Sequence, residues 1–174
     1  MGNIGRLAVW PPSVGDFPVS PYNVAFTPDG KVVAYSVGDS IAVDHPAGKG
    51  TRWESPPLGR SVTSVVVSGD GKLAVGGCMN GAVTFVDLEN RKIAGAQAVP
   101  GEVRCLALGS DGRTLAVGCG DGMTEVAVVD ALAAELLGTV KPGYGNTWAV
   151  AISPDTQILA TGSDDRKIRL WKIY

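Results

Sequence analysis

The chain has 174 residues, 45% of them hydrophobic and 18% charged, a composition of one globular domain with a sizeable core rather than of a disordered chain. Its formal net charge of −2 leaves no basic footprint for nucleic acid or an anionic membrane surface. No apolar run reaches the roughly 18 residues that span a bilayer, and 24 Gly and 11 Pro beside abundant Val and Ala favour short strands and turns over helices.

In chain order, the first apolar stretch is Leu7 to Trp10, closed by Pro11 and Pro12. It is too short for a secretory signal, and Arg6 stands where a myristoylation signal after Met1-Gly2 needs Ser or Thr. From Tyr22 a unit begins that occurs four times. Its first strand and turn run Tyr22 to Gly30, Thr63 to Gly71, Arg104 to Gly112 and Trp148 to Thr156. The turn aspartates Asp29, Asp70, Asp111 and Asp155 are spaced 41, 41 and 44 apart. A second apolar run follows each turn, at Val32 to Tyr35, Leu73 to Gly76, Leu115 to Gly118 and Ile158 to Thr161. A third closes on Val43-Asp44, Val86-Asp87, Val129-Asp130 and Trp171-Lys172, spaced 43, 43 and 42 apart.

Weaker fourth strands lie between the units, at Thr51 to Ser55, Lys92 to Ala98 and Glu135 to Val140. Trp10 to Val24 is 14 residues and Trp53 to Val65 is 12, so Leu7 to Trp10 reads as an outer strand of the same kind. The repeats then run approximately 4–44, 51–87, 92–130 and 135–174, within a single domain spanning 1–174. A period of about 40–45 residues with four strands per copy is that of a propeller blade. Such a sheet cannot cover both faces alone and needs neighbours stacked around an axis.

The chain resembles the WD-repeat family over nearly its whole length. Gly162 to Asp165 followed by Ile168 to Trp171 comes near the family's consensus, whereas the other three copies keep the Asp of the Trp-Asp pair and replace its Trp by Val. The resemblance implies an all-β fold, a β-propeller of four-stranded antiparallel blades with four blades in this chain. Three arrangements stay open: a closed four-blade ring, two copies forming an eight-blade ring, or half of a seven- or eight-blade ring finished by another chain or a missing segment. The family's buried tetrad of His, Ser or Thr, turn Asp and Trp survives best in the fourth copy, at Thr161, Asp165 and Trp171. No His precedes Trp148, where Gly145 to Thr147 stands instead.

Function then falls to the positions that vary while the frame holds. In the family, the residue opening each first strand lies on the top face near the central channel. Here these are Tyr22, Thr63, Arg104 and Trp148, and Tyr, Arg and Trp are the types most enriched in interface hot spots. Met79 and Asp164 (with Gly38 and Gly120) hold the position before the turn Asp or Asn, which faces the same rim in the family.

Catalysis has little support. The one His, His45, sits in a turn composition, and Gly118, Gly120 and Gly122 lack the spacing and following helix of a phosphate cradle. The recurrent aspartates lack the ligand density of a calcium loop. Cys78, Cys105 and Cys119 are odd in number and without metal-ligand spacing, which favours a reducing compartment, cytosol or nucleus. The expected role is a non-catalytic scaffold for partner peptides or domains, without cofactor, metal, nucleic acid or membrane. The alternative is a half-propeller that completes a larger ring with a second copy or another chain.

Overall fold

The computed structural model describes residues 22–45, 52–122 and 125–174; the expected strand at Leu7 to Trp10 lies outside them. Fifteen strands and no helix make up the described residues, arranged as four antiparallel sheets in chain order. Sheet 1 holds β1 (Val24–Phe26), β2 (Val33–Val37), β3 (Ser40–Asp44) and β4 (Trp53–Glu54). Sheet 2 holds β5 (Val62–Val67), β6 (Leu73–Cys78), β7 (Ala82–Asp87) and β8 (Lys92–Ala98). Sheet 3 holds β9 (Val103–Leu108), β10 (Thr114–Cys119), β11 (Val126–Asp130) and β12 (Glu135–Val140). Sheet 4 has three strands among the described residues, β13 (Thr147–Ile152), β14 (Ile158–Ser163) and β15 (Ile168–Lys172). Each sheet is a blade of a propeller.

Short-range chemistry makes the blades alike. Asp29 accepts hydrogen bonds from the Lys31 amide and the Thr27 hydroxyl, and Asp70 repeats the arrangement with Lys72 and Ser68. Gly30, Gly71 and Gly112 follow at φ 68°, 72° and 65°, where a Cβ is disfavoured; in the fourth copy Thr156 accepts φ 58°. The Asp that closes the third strand holds the next turn in sheets 2 and 3. Asp87 accepts from the Asn90 amide, and Asp130 from the Leu132 and Ala133 amides and from Arg113 Nε at 2.7 Å.

The core lies between blades. Ile41 and Val43 of sheet 1 cluster with Val62, Val65 and Val86 of sheet 2. Val83 and Phe85 of sheet 2 cluster with Leu106, Leu115 and Val129 of sheet 3, and Ala116 and Val126 of sheet 3 with Leu159, Val150 and Trp171 of sheet 4. The principal contacts join β5 to β1 and β2, β9 to β5 and β6, and β13 to β9 and β10. They link successive sheets through their innermost strands, and among the described residues none of these principal contacts joins sheet 4 to sheet 1.

Glycines permit the close approach. A Cβ at Gly77 would overlap Val103, and one at Gly118 would overlap Cys105 Sγ and Thr147. No helix among the described residues is long and apolar enough to cross a membrane.

Candidate functional site

The residues expected to open each first strand share one backbone irregularity. The β5–β6 ladder shifts register between Val62 and Ser64, the β9–β10 ladder between Val103 and Cys105, and the β13–β14 ladder between Thr147 and Ala149. Thr63, Arg104 and Trp148 are therefore the extra residues of β-bulges, which re-aim a side chain out of the pleat. In sheet 1 Tyr22 precedes β1; its amide donates to Ser36 Oγ at 2.8 Å and its ring is exposed.

The four residues do different things. Thr63 Oγ1 donates across the seam to the Val103 carbonyl at 2.6 Å, tying sheet 2 to sheet 3. Arg104 Nη2 donates to Glu102 Oε2 at 2.6 Å, and its guanidinium carbon lies 5.6 Å from the centre of the Trp148 ring, within cation–π range. The indole stays 56% exposed although its Nε1 donates to Asp164 Oδ1 at 2.5 Å. Asp164 Oδ2 also accepts from the Asn146 amide at 2.7 Å, and the Asn146 amide bond and the indole hold the Asp164 carboxyl below its usual range. Asn146 Oδ1 in turn accepts from the Asp121 amide at 2.9 Å, crossing from sheet 4 to sheet 3. A Cβ at Gly120 would lie 2.5 Å from Arg104 Nε and 2.8 Å from Asn146 Oδ1, so only glycine leaves room for this interlock.

Arg104, Trp148 and Asp164 are thus brought together, with Glu102 and Asn146 as two partners that the repeat pattern does not single out. Their signal was local: Glu102 sits two residues before the bulge, and Asn146 lies in the stretch that replaces the family's His. Met79 stands apart from the trio. It lines a concavity of about 370 Å³ between sheets 2 and 3, with Arg60, Asn80, Pro100, Glu102 and Asp121. Glu102 and Asp121 belong to both features, so the groove runs up to the Arg104–Trp148 platform. Arg104 Nε and, next to Trp148, Thr147 Oγ1 are buried at this rim without a hydrogen-bond partner among the described residues.

The tetrad positions form a different network. Trp171 Nε1 donates to Thr161 Oγ1 at 2.9 Å, and Thr161 pairs across the ladder with Arg169. Arg169 Nη2 lies 2.6 Å from Asp165 Oδ2, and Asp165 also accepts from Ser163 Oγ and the Lys167 amide. A guanidinium therefore meets the turn carboxylate in a copy that lacks the family's His. Elsewhere burial pushes the Cys105 thiol up to about 12 and those of Cys78 and Cys119 to about 11, leaving no thiolate near neutrality. Among the described residues, no three His, Cys, Asp or Glu side chains gather as a metal site would require.

Two stretches of the chain, residues 96–126 and 135–172, match the family of the WD domain, G-beta repeat. Eukaryotic translation initiation factor 3 subunit I of Aspergillus niger is 54% identical over 39 residues, 22% of this chain and 12% of that protein. The same subunit is 49% identical in Aspergillus terreus and 44% in Scheffersomyces stipitis, again over 39 residues. The match thus spans about an eighth of these relatives' length. Among solved structures, Kuenenia stuttgartiensis hydrazine synthase superposes with a TM-score of 0.79 at 18% identity, over 92% of this chain and 49% of that one. At that identity the likeness is one of fold.

Proposed function

We propose that the chain is a non-catalytic scaffold that docks a partner protein on the rim formed by Arg104, Trp148 and Asp164 and on the adjoining groove beside Met79. One observation carries the reading. A bulge presents an aromatic face that is more than half exposed, yet hydrogen bonds and a stacked guanidinium fix its orientation. An anchor ordered before binding loses little side-chain entropy when a partner covers it. The mixed charge of the rim suits a protein segment better than a polyanion. Relatives that are by name subunits of an initiation factor support a place within a larger assembly.

The test is affinity capture with the whole chain, comparing Trp148→Ala and Arg104→Ala with Lys72→Ala on the opposite end of the blades. Loss of the same bound proteins in both rim variants, with unchanged melting temperature and intact capture by Lys72→Ala, is expected. Retention by both rim variants contradicts the assignment.

A second reading, a chain that contributes four blades to a larger ring, is favoured by the uncovered outer face of sheet 4. Ile168 there is 80% exposed and Leu170 69%.

A further inference from the structure

Each blade seats its innermost strand on the face of the blade before it, and the register shows which residues do so. Val65 and Leu106 occupy equivalent places on β5 and β9 and are 2% and 8% exposed. Val24 holds that place on β1 and is 60% exposed, with Tyr22 and Phe26 open on either side of it. At the other end of the arc, Ile168 and Leu170 hold the places of Val83 and Phe85, residues that sheet 3 covers completely. Among the described residues, the first strand of the arc thus has no face to sit on, and sheet 4 has no strand covering its far side. These two surfaces are the two halves of one contact that the chain already makes three times.

The geometry points to a second copy of this chain as what covers them. Two arcs join head to tail, twice, into a ring of eight blades with a two-fold axis along the channel. This rests on the ring-completion reading above and names its partner. A head-to-tail contact closes when its rotation divides the circle, and here two copies suffice if each supplies half the turn. The contact is made twice per dimer, so each needs only about half of the roughly 1,600 Å² of a standard interface. The chemistry matches on both sides. The sheet 4 face presents Ala149, Ala151, Ile158, Ala160, Ile168 and Leu170, and the incoming strip presents Tyr22, Val24 and Phe26. Within the chain, Leu108 and Ile152 hold the place of Phe26 and pack in the same clusters as Phe85 and Val128, which hold the place of Leu170. Leu170 of one copy and Phe26 of the other are therefore expected to meet.

Sedimentation velocity on the full chain at about 10 μM, a concentration that populates a micromolar complex, tests this. The expected result is a dimer, with Leu170→Glu and Phe26→Lys each sedimenting as a folded monomer. A mixture of the two variants should regain the dimer, because one contact is then wild type and the other pairs Glu with Lys. A wild-type dimer untouched by Phe26→Lys means a back-to-back contact of sheet 4 and overturns the proposal. A wild-type monomer also overturns it, and a dye for exposed apolar surface then separates two cases. Dye binding that Leu170→Glu abolishes keeps the ring-completion reading with a different partner; no dye binding removes that reading as well.

Discussion

Sheets 2 and 4 are built to one pattern and live in different surroundings. Val83 and Phe85 on β7 are 0% and 1% exposed, whereas Ile168 and Leu170, at the same places on β15, are 80% and 69% exposed. The residue types are nearly interchangeable, so the sequence of the strand does not create the difference. A neighbouring blade does. Burial in a repeat architecture belongs to the interface between units, and a unit at the end of an array keeps an apolar face without a cover.

The largest break in the comparison comes from truncation at paired positions. Phe85→Ala should cost about 3–5 kcal/mol of stability, the price of a large buried aromatic. Leu170→Ala in the monomer should stay within about 0.5 kcal/mol. Urea titrations of both variants read the two values. Next come three glycines in one register, Gly77, Gly118 and Gly162, paired with Val83, Val126 and Ile168. An added Cβ overlaps Val103 of the next blade at Gly77; at Gly118 it overlaps Cys105 Sγ of its own sheet and crowds Thr147 of the next blade; at Gly162 it meets only Ala149 Cβ, at 3.7 Å. Gly77→Ala and Gly118→Ala should each destabilise by about 1–3 kcal/mol. Gly162→Ala should be neutral or stabilise by about 0.4–1 kcal/mol, since it only restricts the unfolded chain.

Smaller effects sharpen the account of sheet 4 from within. Trp171→Phe removes the donor to the buried Thr161 hydroxyl and should cost about 0.5–1.5 kcal/mol beyond the lost ring area. The companion Thr161→Val change should make the loss of the indole N–H nearly free. Last is the response to acid. The Arg169 guanidinium, with Ser163 and the Lys167 amide behind it, holds the Asp165 carboxyl well below the usual carboxylate range. A carboxyl depressed in the folded state binds its proton more readily when unfolded. Its contribution is complete above the ordinary carboxylate pKa of about 3.9 and is lost as pH falls toward the folded value. Asp165→Asn should therefore flatten the decline in stability below about pH 4.

Much of this was legible in the residues. The weak outer runs Lys92 to Ala98 and Glu135 to Val140 coincide with β8 and β12, because turn residues and register markers bracket them on both sides. Equivalence among Thr63, Arg104 and Trp148 was legible too, since each holds the same place in its repeat, one residue inside the first strand. That they are bulge residues was not, because a bulge is a slip in backbone pairing that leaves no mark in residue type. The Asp165–Arg169 pair escaped for a related reason: only the ladder shows that Arg169 lies opposite Thr161. Nor does Ile168-Arg169-Leu170-Trp171 say whether a further blade covers it, since an apolar face carries the same residues covered or bare.

Hydroxyl-radical footprinting of the wild-type chain, diluted until it sediments as a monomer, tests most directly whether the four blades form an open arc. Leu170 and Ile168 should oxidise rapidly while Phe85 and Val83 stay protected. Equal protection of all four in the monomer would mean that sheet 4 is covered within one chain, and would contradict the open arc.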